Sequence, residues 1–317
     1  MPDRDALPTV AAFSAIYLVW GSTFLAIRYA VETIPPYTMM SLRCLGGGAI
    51  LIGLWRLREP GSRWPSPREL AGSAVLGLLF FVTCHGLLAR EEQFVPSGMA
   101  ALCAATIPLF VPLLTWLVPR GGRPTSRTAA ALLAGFAGVA MLVAAQGSGG
   151  GLAAVDASLL LLMALSWAAG TVATRHVPVP HSPLAAAGMP LLWGAVMLAI
   201  VALFSGELGR VHMEVVSAKS LGGLTYLIVM GTVVTFSAYM WLLRHVAPTR
   251  VATYAFVNPA VAVVLGWAVA GEHLSAGTLL ATAVIIGAVA VAVSDRPRRQ
   301  LEAPPSSASP SPSSASS

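Results

Sequence analysis

The sequence predicts an all-α membrane protein of ten transmembrane helices, arranged as two inverted five-helix repeats. Three observations carry that prediction. First, 56% of the 317 residues are apolar and only 10% are charged, where a soluble domain carries about 25% charged residues. With a mean hydropathy of +0.76, there is too little polar surface to coat a soluble particle of this size. Second, the apolar residues come in runs of roughly 20, the length that crosses a hydrocarbon core of about 30 Å. A β-barrel would instead show segments of about 10 residues alternating apolar and polar. Third, the chain repeats itself at an offset of about 150 residues.

Ten spans follow in order, most of them bounded by Pro, Gly or charge: about 9–28, 37–55, 70–89, 97–118, 127–145, 155–174, 183–204, 221–243, 249–270 and 275–293. The first is read as a span and not as a cleaved signal peptide. Its leader, "MPDRDALPTV", is not basic, and its apolar length exceeds the 7–15 residues of a signal core. The second span carries Arg43 and the third His85, with Glu91 and Glu92 at the third span's end. The segment 294–317 is basic and then rich in Ser, Pro and Ala ("APPSSASPSPSSASS"). Such a composition buries no core and reads as a disordered cytoplasmic tail.

The repeat shows in four matched pairs. Trp20 precedes Arg28 by eight residues in the first span, as Trp167 precedes Arg175 in the sixth. The fourth span sets Pro96, Pro108 and Trp116 in the roles that Pro248, Pro259 and Trp267 take in the ninth. The offsets are 147, 152, 151 and 151 residues, and loop-length differences account for that drift. The repeats therefore run over about 10–145 and 155–293. Five spans per half is an odd number, which reverses direction, so the halves are expected to lie inverted with a site at their interface. With the N-terminus inside, fourteen of the nineteen Lys and Arg fall in cytoplasmic segments and four outside. That bias places both termini in the cytoplasm of a cell membrane protein.

Several function classes are excluded by what the sequence lacks. There is no phosphate-binding P-loop, no HExxH or GxGD motif and no Asp-rich motif, so ATP hydrolysis, intramembrane proteolysis and prenyl transfer find no machinery. No catalytic residue, metal site or cofactor is expected. Cys44, Cys84 and Cys103 lie in apolar runs without metal-ligand spacing and read as small packing residues. A pI near 9.7 reflects arginine-rich cytoplasmic loops and not a nucleic-acid partner.

The candidate site residues come from interruptions of the apolar pattern. A proline inside a helix lacks an N–H and clashes with the carbonyl four residues earlier. Pro108 and Pro259 thus free the carbonyls of Ala104 and Ala255, which in lipid must face protein or a water-filled cavity. Two kinks, one per half, are expected to border a central passage. Tyr254 and Asn258 are four apart and share a helix face. Asn258 is either a substrate ligand or an interhelical hydrogen bond. Trp20 and Thr23 share a face and read as cavity wall, while Trp167 is either cavity wall or interfacial anchor. Arg43 and His85 lie on the order of 10 Å inside the membrane and are functional candidates by default. The structural alternative pairs Arg43 with Glu91 or Glu92. His85 titrates near neutral pH and is a candidate carrier of a coupling proton. Glu272 reads as a capping or pairing group.

At these residues the chain resembles the EamA family of the drug/metabolite transporter superfamily. The resemblance rests on "WGSTFLAIR", "VPSGMAALCAATIPLF", "SWAAGTVATR", "AYMWLLRHVAPTRVATYAFVNPAVAVVLGW" and "GEHLS", and covers about residues 10–293. It implies ten helices in two inverted repeats, cytoplasmic termini, and export or exchange of small metabolites. Members carry amino acids, other metabolites or cationic drugs, so the substrate is not fixed. His85 stands where the related subgroup often has Asn, and "PRGGR" offers no first-half counterpart to Gly271-Glu272. The expected function is a secondary transporter that exports or exchanges a small metabolite such as an amino acid, with substrate, lipid bilayer and a coupling proton as partners. The alternatives are a multidrug or cationic exporter and a non-transporting membrane sensor or assembly protein. No acidic residue falls at midplane depth, which favours neutral, zwitterionic or anionic cargo.

Overall fold

The computed structural model describes residues 6–118, 123–145, 154–211, 213–246, 251, 254–272 and 275–294. The expected tail, Pro248 and most of the "PRGGR" stretch lie outside the described residues. Among the described residues the regular elements are helices, with no strand. Eight helices are long and apolar enough to cross a membrane. They are α1 (Leu7–Ala30), α2 (Pro36–Arg58), α3 (Pro67–Glu91), α4 (Ser97–Leu117), α5 (Ser126–Ala144), α6 (Ala154–Ala173), α7 (Pro183–Phe204) and α8 (Ala218–Tyr239). Two further apolar helices follow, α9 (Tyr254–Ala270) and α10 (Ala276–Ser294). Large apolar side chains such as Phe204 and Leu117 point outward, 85% and 70% exposed, a surface that suits lipid and not water.

The helix starts are written in the sequence. Proline opens α2, α3 and α7 within the first two positions, where its missing N–H costs nothing. Ser66 caps α3 in a capping box with Glu69, and the Ser217 hydroxyl accepts the Ser220 N–H at α8. Two carboxylates reach across between helices. Glu207, after α7, accepts the Thr38 N–H (2.9 Å) and hydroxyl (3.2 Å) at the start of α2. Glu59, after α2, accepts the hydroxyl of Ser182, the residue before α7 (2.8 Å). An anion at a helix N-terminus satisfies free N–H groups and meets the positive end of the dipole.

Packing joins residues before 146 to residues after 153. Helix α2 lies along α7 and α5 along α10. Helix α1 packs on α8 and α9, α6 packs on α3 and α4, and α4 meets α9. The close approaches use glycine. A Cβ on Gly77 of α3 would lie 2.7 Å from the Pro190 carbonyl oxygen of α7, and one on Gly194 of α7 would lie 2.7 Å from Phe81 Cβ. Without a hydrophobic force between helices in lipid, such small-residue contacts let backbones approach and packing hold them.

Three spans are not plain α-helix. Ala15–Val19 in α1, Leu78–Gly86 in α3 and Leu227–Val234 in α8 wind as π-helix. Wide turns of this kind leave side chains to satisfy displaced carbonyls. The expected mid-helix kink at Pro108 is corrected by the structure. Helix α4 breaks into Ser97–Ala104 and Ile107–Leu117, with Pro108 in the first turn of the second piece. A proline is better placed there than in mid-helix, because its absent N–H would be unpaired anyway. Pro112 lies inside the second piece. Pro259, by contrast, lies within α9 as expected.

Gly77→Ala is expected to destabilise the purified protein by about 1–3 kcal/mol through overpacking against backbone. Gly53→Ala, with nothing within 4 Å of the added Cβ, should leave the unfolding midpoint unchanged. Thermal unfolding in detergent checks the pair, and equal midpoints would refute the close-contact account.

Candidate functional site

A cavity of about 100 Å³ lies among α1, α2, α3, α4, α6, α8 and α9. That is room for several waters or a small solute. Its formation follows from the interruptions of the spans. The break in α4 sets Ala104 and Pro108 at the wall, and the proline of α9 sets Ala255, Asn258 and Pro259 there. The wide turns of α3 and α8 bring Phe81, Cys84 and His85 from one side and Gly231 and Thr232 from the other.

The aromatic wall is built on two tryptophans. Trp20 and Trp167 meet edge to face, with ring centroids 6.5 Å apart at 88°. Trp20 also meets Tyr254 edge-on at 5.3 Å, and its indole N–H donates to the Gly231 carbonyl at 3.2 Å. Trp167 packs on Phe80 at 4.7 Å and on His85 at 5.3 Å. Trp167 lines the cavity, as one of the two readings open for it expects. Thr23 lines the cavity too, its hydroxyl donating back to the Trp20 carbonyl at 2.6 Å.

The polar groups at the wall have definite partners. Asn258, with its NH2 turned toward the available acceptors, has the carbonyls of Ile16 (3.0 Å), Tyr17 (3.1 Å) and Tyr254 (3.2 Å) within reach of its two N–H donors. It thereby serves the wide turn of α1. His85 Nδ1 lies 2.7 Å from the carbonyl oxygen of Phe80, five residues earlier. A carbonyl only accepts, so Nδ1 carries the proton. Thr235 does the same in α8, donating to the Met230 carbonyl at 2.6 Å, again five residues back. Thr232 donates to the Leu227 carbonyl at 2.9 Å and accepts from Arg43 Nε at 3.1 Å. Arg43 is 6% exposed, lines the cavity, and has no carboxylate within 4.0 Å among the described residues.

The proposed pairing of Arg43 with Glu91 or Glu92 is therefore not found. Glu91 does not line the cavity, is fully buried, and pairs with the adjacent Arg90. A neighbour in sequence captures it before a residue of the adjacent span can. Glu92 is 1% exposed, and neither of its oxygens has a hydrogen-bond partner among the described residues. Burial first, and then the Glu272 carboxylate, hold Glu92 well above the usual carboxylate range, against the pull of Arg28 and Arg43.

Glu272 closes this end of the molecule. Its carboxylate accepts the Ser97 N–H and hydroxyl, both at 2.8 Å, and the Gly98 N–H at 3.1 Å. Arg28 Nη1 stands 3.8 Å away and donates to the Val95 carbonyl at 3.2 Å. Gly271, at φ +67°, takes the left-handed turn that returns Glu272 toward α4. A Cβ on Gly266 would collide with the carboxylate.

Of the candidates read from sequence, Trp20, Thr23, Arg43, His85, Ala104, Pro108, Trp167, Tyr254, Ala255, Asn258 and Pro259 border one cavity, whereas Glu91, Glu92 and Glu272 do not line it. The polar wall residue missed was Thr232. It lies in an apolar run with no distinguishing neighbour, and its role depends on the wide turn, which has no sequence signature here. Phe81 and Phe236 were missed as ordinary apolar residues.

Known proteins bear on this site. Residues 8–144 and 156–294 each match the EamA-like transporter family. The uncharacterized inner membrane transporter YedA of Escherichia coli is 37% identical over 292 residues, 90% of each chain. The uncharacterized transporter YoaV of Bacillus subtilis is 23% identical, covering 86% of this chain and 91% of that one. Protein PecM of Dickeya dadantii is 26% identical, over 86% and 88%. A crystal structure at 23% identity superposes with a TM-score of 0.61, covering 90% of this chain and 97% of that one. At that identity it shows the fold alone.

A carboxyl group whose proton is held more tightly in the folded state costs stability as pH rises above the unfolded-state value, about 4.3 for Glu. Glu92→Gln removes that cost. The variant is expected to unfold at a higher temperature than wild type at neutral pH, by the equivalent of roughly 1–3 kcal/mol. The gap should close below about pH 4. Melting curves across that range check it, and a gap independent of pH would contradict the account of Glu92.

Proposed function

This chain belongs to the EamA-like transporter family, and we propose that it is a secondary transporter that exports or exchanges a small metabolite, such as an amino acid, through the cavity between its two halves. The observation that carries this reading is that one cavity gathers wall residues from both halves, including two of the matched pairs of the sequence repeat, Trp20 with Trp167 and Pro108 with Pro259. Membrane-embedded sensing would need no such chamber.

The finer architecture we propose is ten transmembrane helices in two inverted five-helix repeats, residues 10–145 and 155–293, with both termini cytoplasmic. Several correspondences support it. The serine caps Ser66 and Ser217 stand 151 residues apart, and the reaching carboxylates Glu59 and Glu207 stand 148 apart. His85 with Phe80, and Thr235 with Met230, make the same five-residue-back hydrogen bond at an offset of 150. The interhelix contacts pair off under exchange of halves, α1 on α8 with α6 on α3, and α1 on α9 with α6 on α4. Alternating access in such folds is a rocking of one half against the other around a fixed site.

The proton is our choice of coupling ion, with His85 at the cavity wall and the buried Glu92, near Glu272, as the titratable groups. On this reading the chain transports and does not catalyse, so no cofactor or metal is assigned. A cationic-drug exporter is the weaker alternative, because among the described residues the cavity presents a guanidinium and no carboxylate.

Metabolite profiles of medium from cells lacking and overproducing the protein test the function. At least one small metabolite is expected to rise with overproduction, and its flux in proteoliposomes should change with an imposed pH gradient. Trp20→Ala should lower that flux about ten-fold or more while the protein still inserts. Identical profiles together with no flux in proteoliposomes would refute transport, and flux indifferent to the gradient would refute proton coupling.

A further inference from the structure

At the cavity wall stands a cation whose hydrogen-bonding partners among the described residues are all neutral. Arg43 Nε donates to the Thr232 hydroxyl at 3.1 Å, and Nη1 reaches the Met40 sulfur at 3.8 Å. Both are weak compensation for a guanidinium that is 6% exposed, since a buried charge is normally paired. Nη2 has no hydrogen-bond partner among the described residues; it lies at the cavity wall beside Gly231, where an added Cβ would stand 3.6 Å from it and 2.9 Å from Thr23 Cγ2. Among the described residues the cavity wall carries no Asp or Glu. Trp20, Phe81 and Phe236 supply an apolar surface beside this one positive group.

Resting on the transport reading above, we infer that Arg43 is the anchor for a carboxylate on the transported molecule, and that the cargo is a small carboxylate with an apolar or aromatic body. The guanidinium has a fork of N–H donors matched to carboxylate geometry, and such charge-assisted bonds are about twice as strong as neutral ones. A carboxylate arriving at Nη2 gives Arg43 the anionic partner that the protein withholds. The same arrangement rejects the corresponding amine, which meets a like charge in a site of low polarity. The cargo thus brings the counter-charge with it, and the empty and loaded chambers differ by a neutralised cation.

Three compounds with one shared skeleton test this on purified wild type, by isothermal titration calorimetry in detergent. 3-Phenylpropionate carries the carboxylate alone, phenylalanine carries carboxylate and ammonium, and phenylalaninamide carries ammonium alone. At least one of the two carboxylates is expected to bind about ten-fold or more tighter than phenylalaninamide. Which of them binds tighter distinguishes a simple acid from an amino acid as cargo. Arg43→Gln should abolish the preference, and Arg43→Lys, which keeps the charge and loses the fork, should retain part of it. Equal binding of all three, preference for phenylalaninamide, no binding of any, or a preference unchanged in Arg43→Gln would overturn the inference. The wild-type comparison stands even where a variant fails to fold. Because binding is read without flux, its failure is distinct from failure of the transport reading, which is judged on proteoliposome flux alone.

Discussion

Hydrocarbon offers no hydrogen bonds, so a helix that departs from its α pattern inside a membrane must find other partners for the groups it releases. Much of this structure follows from that constraint. The wide turn of α1 leaves carbonyls that the Asn258 amide takes up. The wide turns of α3 and α8 are served from within, by His85 on Phe80 and by Thr232 and Thr235 on Leu227 and Met230. The broken α4 and the proline of α9 turn their interruptions toward the same interior space. The cavity is where the helices are least regular, and the side chains that repair the irregularity are also those that face its contents.

This explains what the sequence could and could not reveal. Span positions were legible because apolar length is set by bilayer thickness, a constraint every span meets alone. Pro108 and Pro259 were legible as cavity residues because a proline in lipid has few permitted places. Trp20 and Trp167 were legible through their shared spacing to an arginine. What failed was whatever depends on a partner. Nothing in the sequence says that α4 breaks where α9 runs on, or that Arg90 captures Glu91. Thr232 gains its importance from a helix register that leaves no trace in residue order. Arg43 was marked as significant by its depth, but its lack of an anionic neighbour is a property of the assembled bundle.

The chemistry of the chamber is asymmetric in a useful sense. Its walls are aromatic and aliphatic, its polar side chains are mostly committed to backbone repair, and its charge resides in one guanidinium. His85, with Nδ1 held by Phe80, presents its remaining nitrogen as an acceptor when neutral. A site of this make-up selects first by charge and then by shape, since the apolar surface discriminates weakly between ring and chain while the guanidinium distinguishes acid from amine.

Glu272 has a consequence for the resting state. In the proposed two-fold arrangement, identical halves would make the outward-open and inward-open forms equal in energy, like a seesaw with matched riders. The carboxylate that fastens α9 to the start of α4 has no acidic counterpart in "PRGGR". The riders are therefore unmatched, and each 1.4 kcal/mol of difference shifts the occupancy ratio about ten-fold. On the proposed arrangement, Glu272 is one of the differences between the copies that would give the idle machine a direction.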